Sequence, residues 1–311
     1  NNQVTLGLLG ITCDACTEGK FAREYTDGNS RRAFVLVHGL TANVVKWGPM
    51  IDDFRLNNQP WQVWTYQYPY NRSIDLNAED LVNLLEVHST EYDDLYILGH
   101  SLGGMIVEQA LWQAYAAHQS HVNEFTWFNK VRKVIIAGTP NQGSPTVDVY
   151  KYLFSNLFNL STTASAFNVN ASVISDLAYG KNIPAVPGIN YQIIVGTRSI
   201  PFTESLFGNV SNDGVLTPES GYTIGGVEFN NNCKNLYNIN ITHTDLDDSP
   251  SAIRVVERIL NKELSTERPD IPLVGYNQYL RVFAPDCKPT DTYFVIGKPV
   301  PKEQTYDPLL C

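Results

Sequence analysis

The sequence predicts an α/β fold: a mostly parallel central sheet with helices on both faces. Two observations carry that expectation. Short apolar runs rich in β-branched residues alternate with longer segments of helical period, the pattern of strands buried on both sides. The chain is also long and apolar enough, at 311 residues and 43% hydrophobic, to close a core of that size.

Taken in order, residues 4–11 form an apolar run read as a strand, followed by a Cys- and Gly-containing connection to about residue 32. Residues 33–38 (Ala-Phe-Val-Leu-Val-His) are a buried strand ending at Gly39. A helix is expected over 47–57, where Pro49 is tolerated only in the first turn. Residues 62–66 read as a strand, 76–88 as a helix with a core-facing stripe of Leu81, Leu84, Leu85 and His88, and 95–98 as a third buried strand. A long helix follows over 102–117, then strands at 134–137, 191–195 and 236–241. Residues 251–260 close the pattern as a helix behind Ser249 and Pro250.

Residues 1–264 are therefore read as the core, interrupted at about 141–188 by a lid or cap insertion with helical patterns at 147–157 and 171–179. The proline-rich residues 265–311 alternate at 279–283 and 293–296 and read as a small β extension. Among Cys13, Cys16, Cys233, Cys287 and Cys311, one or two structural disulfides are expected, Cys13–Cys16 and Cys287–Cys311 being one arrangement. Paired cysteines, few lysines and a first residue other than Met favour a secreted protein. The net charge of -10 repels phosphate backbones and excludes a nucleic-acid partner. No apolar stretch has the length of a membrane span.

The chemistry lies at Gly99-His100-Ser101-Leu102-Gly103-Gly104, where a buried strand runs into a tight turn and a helix begins at once. Such a turn thrusts the serine hydroxyl above the sheet, and glycines two residues either side relieve the crowding. The helix behind Ser101 aims unpaired N–H groups at charge developing in front of it.

This elbow, with Val37-His38-Gly39-Leu40-Thr41 and Gly138-Thr139-Pro140-Asn141-Gln142-Gly143-Ser144, resembles the lipase and esterase branch of the α/β-hydrolase fold over roughly residues 33–262. The resemblance implies Ser101 as nucleophile and the backbone amides of Leu40 and Leu102 as the oxyanion hole. It also implies the order serine, acid, histidine along the chain. Of six histidines, only His243 follows the last predicted strand, so it is expected as the general base. The segment Ser211-Asn212-Asp213-Gly214-Val215-Leu216 matches the pattern that carries the acid, with Asp176, Asp245 and Asp247 as rivals.

No cofactor is implied. Some similar lipases bind calcium through an acid two residues after the histidine, here Asp245, but other ligand positions have no match and Tyr191 stands where a second acid belongs. Asp245, Asp247 and Asp248 are read instead as caps of the closing helix. Trp47, Phe154, Leu157 and Phe158 are the candidates for lining an acyl pocket. The expected activity is carboxylic ester hydrolysis through an acyl-enzyme, with an ester or lipid as substrate. An amidase, peptidase or thioesterase on the same triad, or a non-catalytic binding protein on the same scaffold, is the alternative.

Overall fold

The computed structural model describes residues 19–40, 42–69, 72–120, 125–147, 171–200, 203–230 and 234–261. Its strands are β1 Lys20–Thr26, β2 Arg32–Val37, β3 Gln62–Gln67, β4 Asp94–His100, β5 Val131–Ala137, β6 Tyr191–Gly196, β7 Thr223–Ile224, β8 Val227–Glu228 and β9 Leu236–Ile239. The α-helices are α1 Gly48–Leu56, α2 Ile74–Val87, α3 Leu102–Ser120, α4 Ala171–Tyr179, α5 Pro218–Tyr222 and α6 Pro250–Asn261. The strand expected at 4–11, the five cysteines and the extension at 265–311 lie outside the described residues.

Strand β2 shows why the apolar runs are continuous. Ala33, Val35 and Val37 enter one apolar layer while Phe34 and Leu36 enter the other. Strands β4 and β5 divide the same way, Leu95 and Ile97 against Tyr96 and Leu98, Val134 and Ile136 against Ile135 and Ala137. Successive side chains point to opposite faces, so a strand covered on both sides must be apolar at every position. Helices α2 and α3 cover the first face, through Leu81, Leu85, Met105, Ile106 and others. Helices α1 and α6 cover the second, through Met50, Phe54, Ile253 and Val256.

The strands are ordered β1-β3-β2-β4-β5-β6-β9, all neighbours parallel except β1, which runs antiparallel along β3. The fold class is as expected, and β1 is the main addition to it. Its sequence, Lys-Phe-Ala-Arg-Glu-Tyr-Thr, is charged and mostly exposed, so it carries no buried-strand signature. Ends are set by local chemistry: the Ser73 hydroxyl accepts from Leu76 N–H at the start of α2, and Ser249 accepts from Ala252 N–H at the start of α6.

Helix α3 is buried through its first two turns, which brings Glu108 inside at 2% exposure. Its Oε1 has no hydrogen-bond partner, and burial pushes the carboxyl up to about 8, with the Asn141 amide opposing. The native state therefore prefers Glu108 protonated. That preference contributes stability in full below the unfolded value near 4.5 and loses it as pH rises through about 8. The Glu108→Gln variant is expected to match the wild type in thermal unfolding at pH 4.5. It should become progressively more stable above that, by up to about 1.4 kcal/mol per pH unit within the window. Parallel melting curves at pH 4.5 and pH 8.5 check this, and an unchanged difference between the two would refute it.

Candidate active site

The C-terminal edge of the parallel strands carries the site, because loops leave there toward the helices. At the end of β4 the chain turns through Ser101 with φ +54°, a left-handed conformation that costs a residue bearing a side chain about 1–3 kcal/mol. The turn is pinned on three sides. Ser101 N–H donates to the Ala137 carbonyl at 2.9 Å, Thr139 Oγ1 donates to the Ser101 carbonyl at 3.1 Å, and Gly104 N–H donates to it at 3.0 Å. A side-chain carbon on Gly103 would stand 2.3 Å from the His38 carbonyl oxygen, so only glycine lets α3 start this close to β2.

Adjacent strands deliver Asp213 and His243. Asp213 lies in the loop after β6 and His243 directly after β9, and β6 pairs with β9. His243 Nδ1 is 2.8 Å from Asp213 Oδ2, and His243 N–H donates to the Asp213 carbonyl at 2.9 Å. Asp213 Oδ1 accepts from the N–H groups of Val215 and Leu216, both at 2.9 Å. Asp213 is fully buried, and both oxygens are engaged. A carboxylate only accepts, so the proton sits on His243 Nδ1 and Nε2 keeps its lone pair. The rim shared with the serine is Gly138: a side-chain carbon there would lie 3.2 Å from His243 Cε1 and Nδ1. The preceding residue, Ala137, holds Ser101 N–H.

The loop after β2 closes on the same point. A side-chain carbon on Gly39 would come within 3.0 Å of Ser101 Cβ, which places the Leu40 peptide beside the elbow. Leu40 is partly buried against the layer that contains Leu102, the first residue of α3. Sequence reasoning gives His38 no part beyond its place in the motif, yet it fixes this loop. Its Nε2 accepts from Tyr68 N–H at 3.4 Å, so Nδ1 carries the proton and donates to the Gly39 carbonyl at 2.9 Å. Tyr68 donates its hydroxyl to the His38 carbonyl at 2.6 Å and stacks on the ring at 4.2 Å. Burial lowers His38 to about 4, so the ring stays neutral and the arrangement is independent of pH near neutrality.

The remaining candidates are placed differently. Trp47 is fully buried among Phe34, Met50, Phe54 and their neighbours, on the opposite face from Leu40 and Leu102. It is a core residue between the sheet and α1, and it offers no surface to a pocket; its apolar bulk is what the layer there required. Phe154, Leu157 and Phe158 lie outside the described residues. The described residues on either side of 148–170 are tied together, Ser144 N–H donating to the Ala178 carbonyl at 3.1 Å.

Asp176 pairs with Lys181 at 3.6 Å, whereas His243 Nδ1 is bonded to Asp213. Asp245 caps the short turn that begins at His243, accepting from Thr242, and also accepts from Arg198 at 2.6 Å. With that carboxylate bound to a guanidinium, and no group of three His, Cys, Asp or Glu placed to hold an ion among the described residues, the donors do not fit calcium. Asp247 and Asp248 pair with Lys46 and do not cap α6, whose cap is Ser249. No described helix is long and apolar enough to cross a membrane.

Comparison with known proteins agrees with this architecture. The model of the Alpha/beta hydrolase family matches residues 34–187. No curated protein matches the sequence. Among solved structures, the fold is similar to that of Bacillus licheniformis lipase BlEst2 in mature form, at 18% identity and TM-score 0.53, over 78% of this chain and 97% of that one. It is also similar to N-acyl homoserine lactonase AidH, at 14% identity and TM-score 0.51, over 82% of this chain and 97% of that one. From the strand order, the strand–turn–helix at Ser101 and the family match together, the chain has the fold of the α/β-hydrolase family.

Proposed function

We propose that the protein hydrolyses carboxylic esters through an acyl-enzyme, with Ser101, His243 and Asp213 as the triad. The observation that carries the reading is the buried 2.8 Å pair of His243 and Asp213, whose imidazole borders Gly138, the residue after the Ala137 carbonyl that holds the strained Ser101 turn. Strain retained at one residue, beside an imidazole whose tautomer a buried carboxylate sets, is the arrangement a serine nucleophile needs.

In the first half-reaction Ser101 Oγ bonds to the ester carbonyl carbon, and its proton passes to His243 Nε2. The carbonyl π electrons move to oxygen, where the Leu40 and Leu102 amides donate to it; each such donor is worth about 2.7–4 kcal/mol of barrier. Collapse breaks the bond to the alcohol oxygen, which leaves with the proton from His243. Water then repeats the sequence on the acyl-enzyme and releases the acid and Ser101.

An ester is preferred over an amide because the names of the two similar structures, a lipase and a lactonase, denote ester-type bonds. Rates on p-nitrophenyl esters from acetate to palmitate, with and without an oil interface and beside matched anilides, test the reading. Turnover of at least one ester well above its anilide is the expected result. Anilide cleavage with no ester turnover would overturn it.

A further inference from the structure

A second imidazole and a second carboxylate stand behind the base, and the steps above use neither. His100, the residue before the nucleophile, is 4% exposed, and Asp247 is 2% exposed. His100 Nε2 lies 3.1 Å from the carbonyl oxygen of His243, with the two rings 4.9 Å apart and tilted by 41°. A carbonyl only accepts, so Nε2 carries a proton. In the uncharged ring Nδ1 then presents a lone pair, and it has no hydrogen bond. Asp247 Oδ2 faces it at 3.5 Å.

A carboxylate opposite an imidazole lone pair is repulsive, and the repulsion is relieved as Asp247 takes up a proton. Burial acts on both groups. It pushes the Asp247 carboxyl up to about 6 and holds His100 well below the ordinary histidine range. Lys46 opposes this from outside, with Nζ 3.6 Å from Asp247 Oδ1, but it is held more closely by Asp248 at 2.7 Å. At the same nitrogen the His100 ring borders the loop that carries Leu40. A side-chain carbon on Gly39 would stand 3.1 Å from His100 Nδ1. One ring therefore touches the His243 backbone, Asp247 and the Gly39 loop, and is bonded through the chain to Ser101.

We propose that His100 and Asp247 are a positioning pair that holds the His243 backbone against the elbow, so that base, nucleophile and oxyanion loop stay in register. The inference rests on the assignment of Ser101 and His243 above. Four variants test it with one activated ester. His100→Leu removes the donor to the His243 carbonyl, whereas His100→Gln keeps an N–H at the place of Nε2. Asp247→Leu removes the polar group that faces Nδ1, whereas Asp247→Asn keeps a polar group of the same shape there, with an amide N–H that can meet the lone pair.

Both Leu variants are expected to lose about 10- to 100-fold in kcat, the effect of a misplaced group, with KM within about twofold. The Gln and Asn variants are expected to recover most of that loss. Melting temperatures are measured beside the rates. Unchanged kcat in both Leu variants, or Gln and Asn variants no better than Leu, would overturn the proposal. If His100→Leu does not fold, the Asp247 pair decides by the same comparison. Labelling of the wild type by a fluorophosphonate separates the two claims. No labelling removes the serine hydrolase reading itself, and labelling at wild-type rate in the Leu variants removes only the positioning pair.

Discussion

Ser101→Ala is expected to lower kcat/KM on any accepted ester by about 10⁴-fold or more and to abolish fluorophosphonate labelling. The reason is chemical before it is structural. The proposed mechanism gives the covalent step to this hydroxyl alone, and what would survive is only the rate gained from substrate binding and the oxyanion donors. The same position makes a second, opposite expectation. With φ at +54°, Ser101 sits where glycine is comfortable and a β-carbon is not. Ser101→Gly is expected to be as inactive as the Ala variant but to melt no lower than the wild type. Its relieved strain, about 1–3 kcal/mol, offsets the added freedom of the unfolded chain. An active Ser101→Gly enzyme would move the nucleophile elsewhere and sink the mechanism.

Asp213→Asn is expected to cost about 10⁴-fold in kcat with little change in KM, and the direction of its amide explains why. Asp213 Oδ1 receives the N–H groups of Val215 and Leu216. An asparagine must keep its carbonyl there, because its NH₂ would meet two donors. The NH₂ then takes the place of Oδ2 and donates to His243 Nδ1. A neutral imidazole that accepts at Nδ1 carries its proton on Nε2, and it has no lone pair left to receive the proton of Ser101. The fold should survive, since every backbone bond of the loop is retained. Near-normal melting with kcat lost is the expected pair of results. A kcat within tenfold of wild type would show that Asp213 only braces the loop.

The elements that build the candidate site were legible beforehand, and the reason is that local chemistry writes local patterns. A two-sided strand must be apolar throughout, a nucleophile turn must be flanked by small residues, and an acid in a tight turn precedes glycine; β4, Gly99 to Gly103 and Asp213-Gly214 all show it. Strand β1 was not legible because an edge strand half open to solvent needs no apolar face, and its sequence is indistinguishable from a charged loop. Trp47 was misjudged for a related reason. An aromatic close in sequence to a motif can point through either face of the sheet, and only the packing of α1 settles which. His38 and His100 went unread because a histidine beside a motif looks the same whether it packs or holds a carbonyl.

The amino-acid order alone determined the class of fold, the elbow, and which serine, acid and histidine to examine, since each depends on residues within a few positions of one another. Tertiary structure alone decided that Asp213 and His243, thirty residues apart, share a buried hydrogen bond, because β6 and β9 are neighbours only once the sheet has formed. It likewise decided that Asp247 faces His100, not the helix it precedes. Pairings across strands are bought by burial of the whole sheet, and no short stretch of sequence carries that information.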